Sequence, residues 1–185
     1  MSTKQIEKST VEIQIPDDVK VNLKGSMLHV QGPLGNAYKN FKKIPVLIEI
    51  NDNKILLKKT GERKKYLAIL NTSKSLIQTL CTGVVDGFTI KMKIVYSHFP
   101  ITVKVEGKNV LIENFQGERA PRISAIKGAT KVTVKGDDVI ITGPVLTDVS
   151  QTAANIQLKS KVKNKDHRVF LDGIYKFSQS KGIEK

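Results

Sequence analysis

Apolar and polar residues alternate with period two through Val19, Val21 and Leu23, stop at Gly25, and resume through Leu28 and Val30 before Gly35. The same pattern returns 82 positions later, in Ile101, Val103, Val105, Gly107, Val110, Ile112 and Gly117. Further on, Ile48, Ile50, Asn53, Ile55 and Leu57 correspond at an offset of 84 to Val132, Val134, Asp137, Val139 and Ile141, so a small loop insertion separates the copies. Period-two alternation predicts half-buried strands, with Lys20, Asn22 and Lys24, or Thr102, Lys104 and Glu106, on the wet face. His29 is expected on a strand surface. Turns at Asn51-Asp52-Asn53 and Gly136-Asp137-Asp138 close hairpins, so each copy reads as an antiparallel sheet.

The period then changes to that of a helix. From about Glu62 to Cys81, the residues Tyr66, Leu67, Leu70, Ile77, Leu80 and Cys81 fall near one stripe, and Gly83 is expected to stop the helix. In the second copy Thr147 is placed to cap a shorter helix with Asp148 in its first turn and Val149, Ala153 and Ile156 on its buried side. A helix covering one face of an antiparallel sheet hides the apolar side of both. The predicted fold is therefore α+β, with two tandem duplicated domains, 1–82 and 83–185, each an antiparallel sheet covered by one helix. The boundary falls near Thr82 to Asp86, with Phe88, Ile90, Met92 and Ile94 opening the second unit as a strand.

Composition turns this fold toward a partner. The 31 Lys and Arg against 17 Asp and Glu give a formal charge of +14, which points to a polyanion. Neither a long apolar run nor a basic amphipathic helix is present, which leaves nucleic acid as the leading polyanion over a membrane. No apolar leader pattern opens the sequence and Cys81 is the sole cysteine, so the reading is cytosolic with no disulfide framework.

Catalytic chemistry finds no support. His29, His98 and His167 lie in different predicted elements, none at ligand spacing with Cys81, which reads as a buried helix residue. Asp137-Asp138 suits a turn better than a metal pair. Gly32-Pro33-Leu34-Gly35 lacks the Gly-Lys-Ser/Thr of a phosphate cradle and is read as a chain-redirecting turn. We therefore expect no catalytic residue, no metal site, no cofactor and no small-molecule substrate.

The informative chemistry is basic. Lys159, Lys161, Lys163 and Lys165 recur at every second residue and are followed by His167 and Arg168. An extended backbone sends such a row to one side at roughly 6.6–6.8 Å spacing, suited to a phosphate backbone. Arg119, Arg122 and Lys127 form a second set in a Gly- and Pro-containing loop. Lys58, Lys59, Arg63, Lys64 and Lys65, where the first helix begins, read as a solvated face, because cations at a helix N-terminus are unfavourable.

The tail Lys165-Asp166-His167-Arg168-Val169-Phe170-Leu171-Asp172-Gly173-Ile174-Tyr175 resembles the C-terminal signature of the large-subunit ribosomal protein L-six family in its archaeal and eukaryotic form. The Gly32-Pro33-Leu34-Gly35 turn, the Ser150-Gln151-Thr152-Ala153-Ala154-Asn155-Ile156 helix, the duplication and the length extend the resemblance over nearly the whole chain. One departure is Lys176, where the family usually continues with an apolar residue. The resemblance implies tandem sheet-and-helix domains, the second docked on large-subunit ribosomal RNA near the sarcin-ricin region and the factor-binding side, with neighbouring large-subunit proteins as further partners. The expected RNA contacts are Arg119, Arg122, Lys127, Lys159, Lys161, Lys163, Lys165, His167, Arg168, Tyr175 and Lys176. Phe170 is expected to pack the tail onto the second domain, with Asp172-Gly173 as a turn. A general nucleic-acid-coating or chromatin protein is the alternative that the charge alone permits, and an enzyme acting on RNA is the third.

Overall fold

A computed structural model describes residues 10–51, 53–166 and 168–183. His167 and Asp52 thus lie outside the described residues. The chain divides into two compact units, Met1–Asp86 and Gly87–Lys185.

In the first unit, β1 (Thr10–Gln14), β6 (Lys54–Lys59) and β5 (Val46–Asn51) form one antiparallel sheet in the order β1-β6-β5. A second sheet, in the order β2-β3-β4, contains β2 (Lys20–Lys24), β3 (Met27–Gly32) and β4 (Gly35–Asn40). Helix α1 (Lys64–Val85) packs on both. The second unit repeats the wiring. β7 (Phe88–Val95), β12 (Asp138–Gly143) and β11 (Lys131–Lys135) take the places of β1, β6 and β5, while β8 (Thr102–Glu106), β9 (Asn109–Glu113) and β10 (Arg122–Ala125) take those of β2, β3 and β4. Helix α2 (Leu146–Lys159) covers them. The fold is α+β with duplicated antiparallel architecture, and the strands of each copy divide between two sheets.

The register reproduces the sequence repeat. Val21 pairs with Val30 and Leu23 with Leu28, as Val103 pairs with Ile112 and Val105 with Val110. Ile48 pairs with Leu57 and Ile50 with Ile55, as Val132 pairs with Ile141 and Val134 with Val139. Leu28, Val30, Ile55 and Leu57 are buried, and so are their counterparts Val110, Ile112, Val139 and Ile141. Each small aliphatic core is therefore built from the positions that alternation marks.

Several local expectations change. Helix α1 runs through Val85 with Gly83 buried inside it, and Asp86 caps it through its N–H to Thr82 O. The left-handed residue that ends it is Gly87, at φ +76°. Helix α2 starts after Val145, whose carbonyl accepts the Asp148 and Val149 N–H groups, so Thr147 lies within the first turn and caps nothing. The Gly32–Gly35 segment closes the β3–β4 hairpin, and Leu34 N–H donates to Val84 O at 3.0 Å. A Cβ on Gly32 would sit 2.7 Å from Val84 Cγ2, so the glycine permits close contact with the end of α1.

The tail holds the largest addition. Gly173 does not turn the chain but opens β13 (Gly173–Lys181), which pairs antiparallel with β7 and extends that sheet to β11-β12-β7-β13. Asp172 is buried, and its Oδ1 accepts the Ser97 N–H at 2.8 Å. Ile174 enters the core opposite Ile94, and the register shifts between Lys176 and Ser178.

Candidate nucleic-acid interface

Helix α2 buries Val149, Thr152, Ala153 and Ile156 and turns Gln151, Asn155 and Lys159 outward on another face. Those three are four residues apart and stack along the helix surface, with Gln151 Nε2 donating to Asn155 Oδ1 at 2.9 Å. Strand β10 lies alongside. Asn155 Nδ2 reaches Ala125 O at 3.3 Å, and the Lys127 N–H donates to Thr152 Oγ1 at 3.0 Å. Between them runs an open groove of about 920 Å³ lined by Asn109, Ile123, Lys127, Gln151, Asn155, Leu158, Lys159 and Lys163 among others. A neighbouring hollow of about 300 Å³ brings Lys161 and Tyr175 together and shares Leu158.

The segment after α2 is pinned rather than free. Ser160 is buried, and its Oγ donates to Gln157 O and accepts the Ile174 N–H at 3.0 Å. Val162 is also buried. With these two turned inward, Lys161 and Lys163 are left exposed. The expected extended ribbon over 159–165 does not form as such: Lys159 is the last helical residue, and Asn164 at φ +57° breaks the alternation. Lys165 instead lies over the Phe170 ring at 4.6 Å, while Phe170 packs against the core of the second unit.

Arg122 holds this region from behind. It is the first residue of β10 rather than a loop residue, and only a fifth of its side chain is exposed. Its Nε and Nη2 grip the two Glu118 carboxylate oxygens, and Nη1 donates to Lys159 O at 2.8 Å and Lys161 O at 3.1 Å. The guanidinium carbon also stands 4.0 Å above the ring centroid of buried Phe115. Arg122 thereby satisfies carbonyls at the C-terminus of α2, where the helix dipole favours a cation. Hydrogen bonding from Arg122 holds the Glu118 carboxyl below its ordinary value against the opposing effect of burial, with lesser help from the charges of Arg122 and Lys163. The arginine expected on RNA is thus committed within the unit.

Of the other expected contacts, Lys127, Lys159 and Lys163 converge on the groove and Lys161 and Tyr175 on the adjoining hollow. Arg119, Arg168 and Lys176 are exposed and line neither. Lys176 bonds Gln179 along β13, and the Tyr175 hydroxyl donates to Leu171 O at 3.2 Å. Asn109, Gln151 and Asn155 also line the groove and were not among the residues expected from the sequence. The four-residue spacing of Gln151, Asn155 and Lys159 was the available signal. Among the described residues no group of three potential ligand side chains could hold a metal, and no helix is long and apolar enough to cross a membrane.

Comparison with known proteins agrees with this architecture. The family model described as Ribosomal protein L6 matches residues 99–173. The large ribosomal subunit protein uL6 of Methanosarcina mazei is 43% identical over 163 residues, covering 88% of this chain and 93% of that protein. The chain belongs to the uL6 family. The uL6 proteins of Methanobrevibacter smithii and Methanosphaera stadtmanae are 45% and 47% identical, over 91% and 88% of this chain and 94% and 89% of their own lengths. The likeness to uL6 therefore takes in both units, and the family-model match contains every residue that lines the groove.

Proposed function

We propose that this chain is a non-catalytic structural component of the large ribosomal subunit in the cytoplasm, binding large-subunit ribosomal RNA through the β10–α2 groove. The observation that carries the reading is the convergence of Lys127, Lys159 and Lys163 on one open groove, with Lys161 beside it, in a uL6-family chain of charge +14. The lysines neutralise phosphates, while Gln151 and Asn155 offer donors and acceptors that need not distinguish bases. Recognition is then mainly of RNA shape, because phosphate contacts fix position and carry little sequence information. The RNA segment lies near the sarcin-ricin region and the factor-binding side. Val169 and Leu171, both more than half exposed, support contacts with neighbouring large-subunit proteins.

The test replaces Lys127, Lys159, Lys161 and Lys163 by Gln and measures binding to large-subunit RNA fragments across a salt series. Each lost phosphate contact lowers the slope of log K against log salt by roughly 0.7–0.9. Replacement of Lys58, Lys59, Lys64 and Lys65, where Lys58 already pairs with Glu49 at 2.8 Å, serves as the control. An unchanged slope for the first set, or an equal loss for the second, refutes the groove. Equal affinity for unrelated RNA would favour a general coating protein.

A further inference from the structure

The outer face of the β2-β3-β4 sheet in the first unit carries chemistry that the groove of the second unit does not use. The strand registers align its outward residues in three rows: Lys20 with Gln31 and Asn36, Asn22 with His29 and Tyr38, and Lys24 with Met27 and Asn40. The opposite face holds Val21, Val30, Ala37 and Leu28 and is directed to the core. The outward rows contain two lysines, four carboxamides, an imidazole and a phenol, but no carboxylate. His29 and Tyr38 form a tilted ring pair with centroids 6.3 Å apart, and Tyr38 is 68% exposed. Lys20, Asn22, Lys24, His29, Gln31, Asn36 and Tyr38 line a depression of about 450 Å³. Among the described residues no ion pair engages Lys20 or Lys24.

Duplication supplies a comparison of composition, although Asn109 and Ile123 of the second face also line the β10–α2 groove. The corresponding face of the second unit presents Lys104, Leu111 and Ile123 in its middle row, flanked by Thr102 and Glu113 on one side and Glu106, Asn109 and Ala125 on the other. Lys104 is paired with Glu113 at 2.8 Å. The second face thus carries two carboxylates and no ring, with Thr102 and Glu106 at the positions of Lys20 and Lys24, whereas the first carries two rings and no carboxylate. The shared fold therefore does not require the polar, aromatic and cationic composition of the first face.

We propose that the β2-β3-β4 face of the first unit is a separate binding platform for single-stranded RNA. One base stacks on the exposed Tyr38 ring, with His29 beside it. The carboxamides of Asn22, Gln31 and Asn36 reach the edges of neighbouring bases, and Lys20 and Lys24 meet the phosphates. Unpaired bases suit this surface because their faces and edges are open, whereas a duplex offers a flat sheet only its backbone. The absence of carboxylates favours a polyanion over an average protein partner.

The test uses the full chain already carrying Gln at Lys127, Lys159, Lys161 and Lys163, so that loss at the groove and loss at the sheet are read separately. Its binding to a labelled mixed-sequence single strand of about ten nucleotides, and to the same sequence as a duplex, is measured by fluorescence anisotropy at about 0.15 M salt. The single strand is expected to bind more tightly. Tyr38→Ala weakens it by about five- to a hundredfold, whereas Tyr38→Phe keeps it within about twofold of its parent. The chain has no Trp and four Tyr, so quenching of tyrosine emission by the bound strand, diminished in Tyr38→Ala, gives an independent readout. Circular dichroism checks that each variant is folded. No loss in Tyr38→Ala, no single-strand binding, or equal binding of the duplex overturns the proposal. So does photocrosslinking from position 38 in cell extract that yields only ribonuclease-resistant polypeptide adducts.

Discussion

Replacing Arg122 by Ala removes a bidentate grip on Glu118, two donations to the Lys159 and Lys161 carbonyls, and a guanidinium above Phe115. Glu118 is well exposed, so that ion pair contributes only about 0.5 kcal/mol after screening. The two carbonyl bonds contribute about 1 kcal/mol each and the ring contact about 0.5–1 kcal/mol. These contributions share one side chain and do not add fully, leaving an expected destabilisation of about 2–3 kcal/mol. For a unit of this size that lowers the melting temperature by about 10–20 °C. Calorimetry should show the transition of Gly87–Lys185 falling while that of the first unit stays. Arg122→Lys keeps the charge but not the planar fork, and should recover less than half of the loss. Measured cold, where the variant is folded, the salt slope of RNA binding should match the parent. An unchanged melting temperature with a slope lowered by roughly 0.7–0.9 would mean that Arg122 contacts phosphate directly and that the clamp is incidental.

Two further outcomes follow from local geometry. Glu118 has a lowered folded-state pKa, so its stabilising contribution is present above its ordinary value of 4.5 and is lost as pH falls through the lower folded value. Acid titration should therefore destabilise the parent more than Glu118→Gln over that window, and parallel curves would refute the pairing. Gly32→Ala places a methyl 2.8 Å from Val84 O and should destabilise the first unit by about 1–3 kcal/mol, leaving the melting of the second unless the two unfold together, which calorimetry distinguishes.

The duplicated strands were legible because each copy has one wet and one buried side, and period two records that directly. The same signal located Leu28, Val30, Ile55 and Leu57 with their partners in the second copy. It was silent on the division into two sheets, since alternation reports the face of a strand and not its neighbour. Strand β13 escaped because its outer half is exposed, with Tyr175, Lys176 and Phe177 all facing solvent. Lys159, Lys161 and Lys163 were singled out for their period-two spacing, and the structure exposes all three for a different reason. Their shared exposure comes from the buried anchors Ser160 and Val162, not from an uninterrupted ribbon. Arg122 was expected as a loop cation and stands instead in β10 among internal acceptors, which composition does not show because it counts a cation without its surroundings; Glu118 four residues earlier was the visible hint.

The pairing of β13 with β7 also governs the order in which this protein can fold. Thr89 Oγ1 bonds Gly182 O across 93 residues of chain, so the four-stranded sheet closes only when the stretch from Gly173 has been synthesised. The first unit contains all its own strand partners by Lys59 and its helix by Val85. It can therefore fold while the ribosome is still translating the second. Until β13 arrives, the edge of β7 stays open and invites mispairing with other chains. Nascent chains arrested before residue 173 should accordingly depend more on chaperones than those arrested just after residue 86.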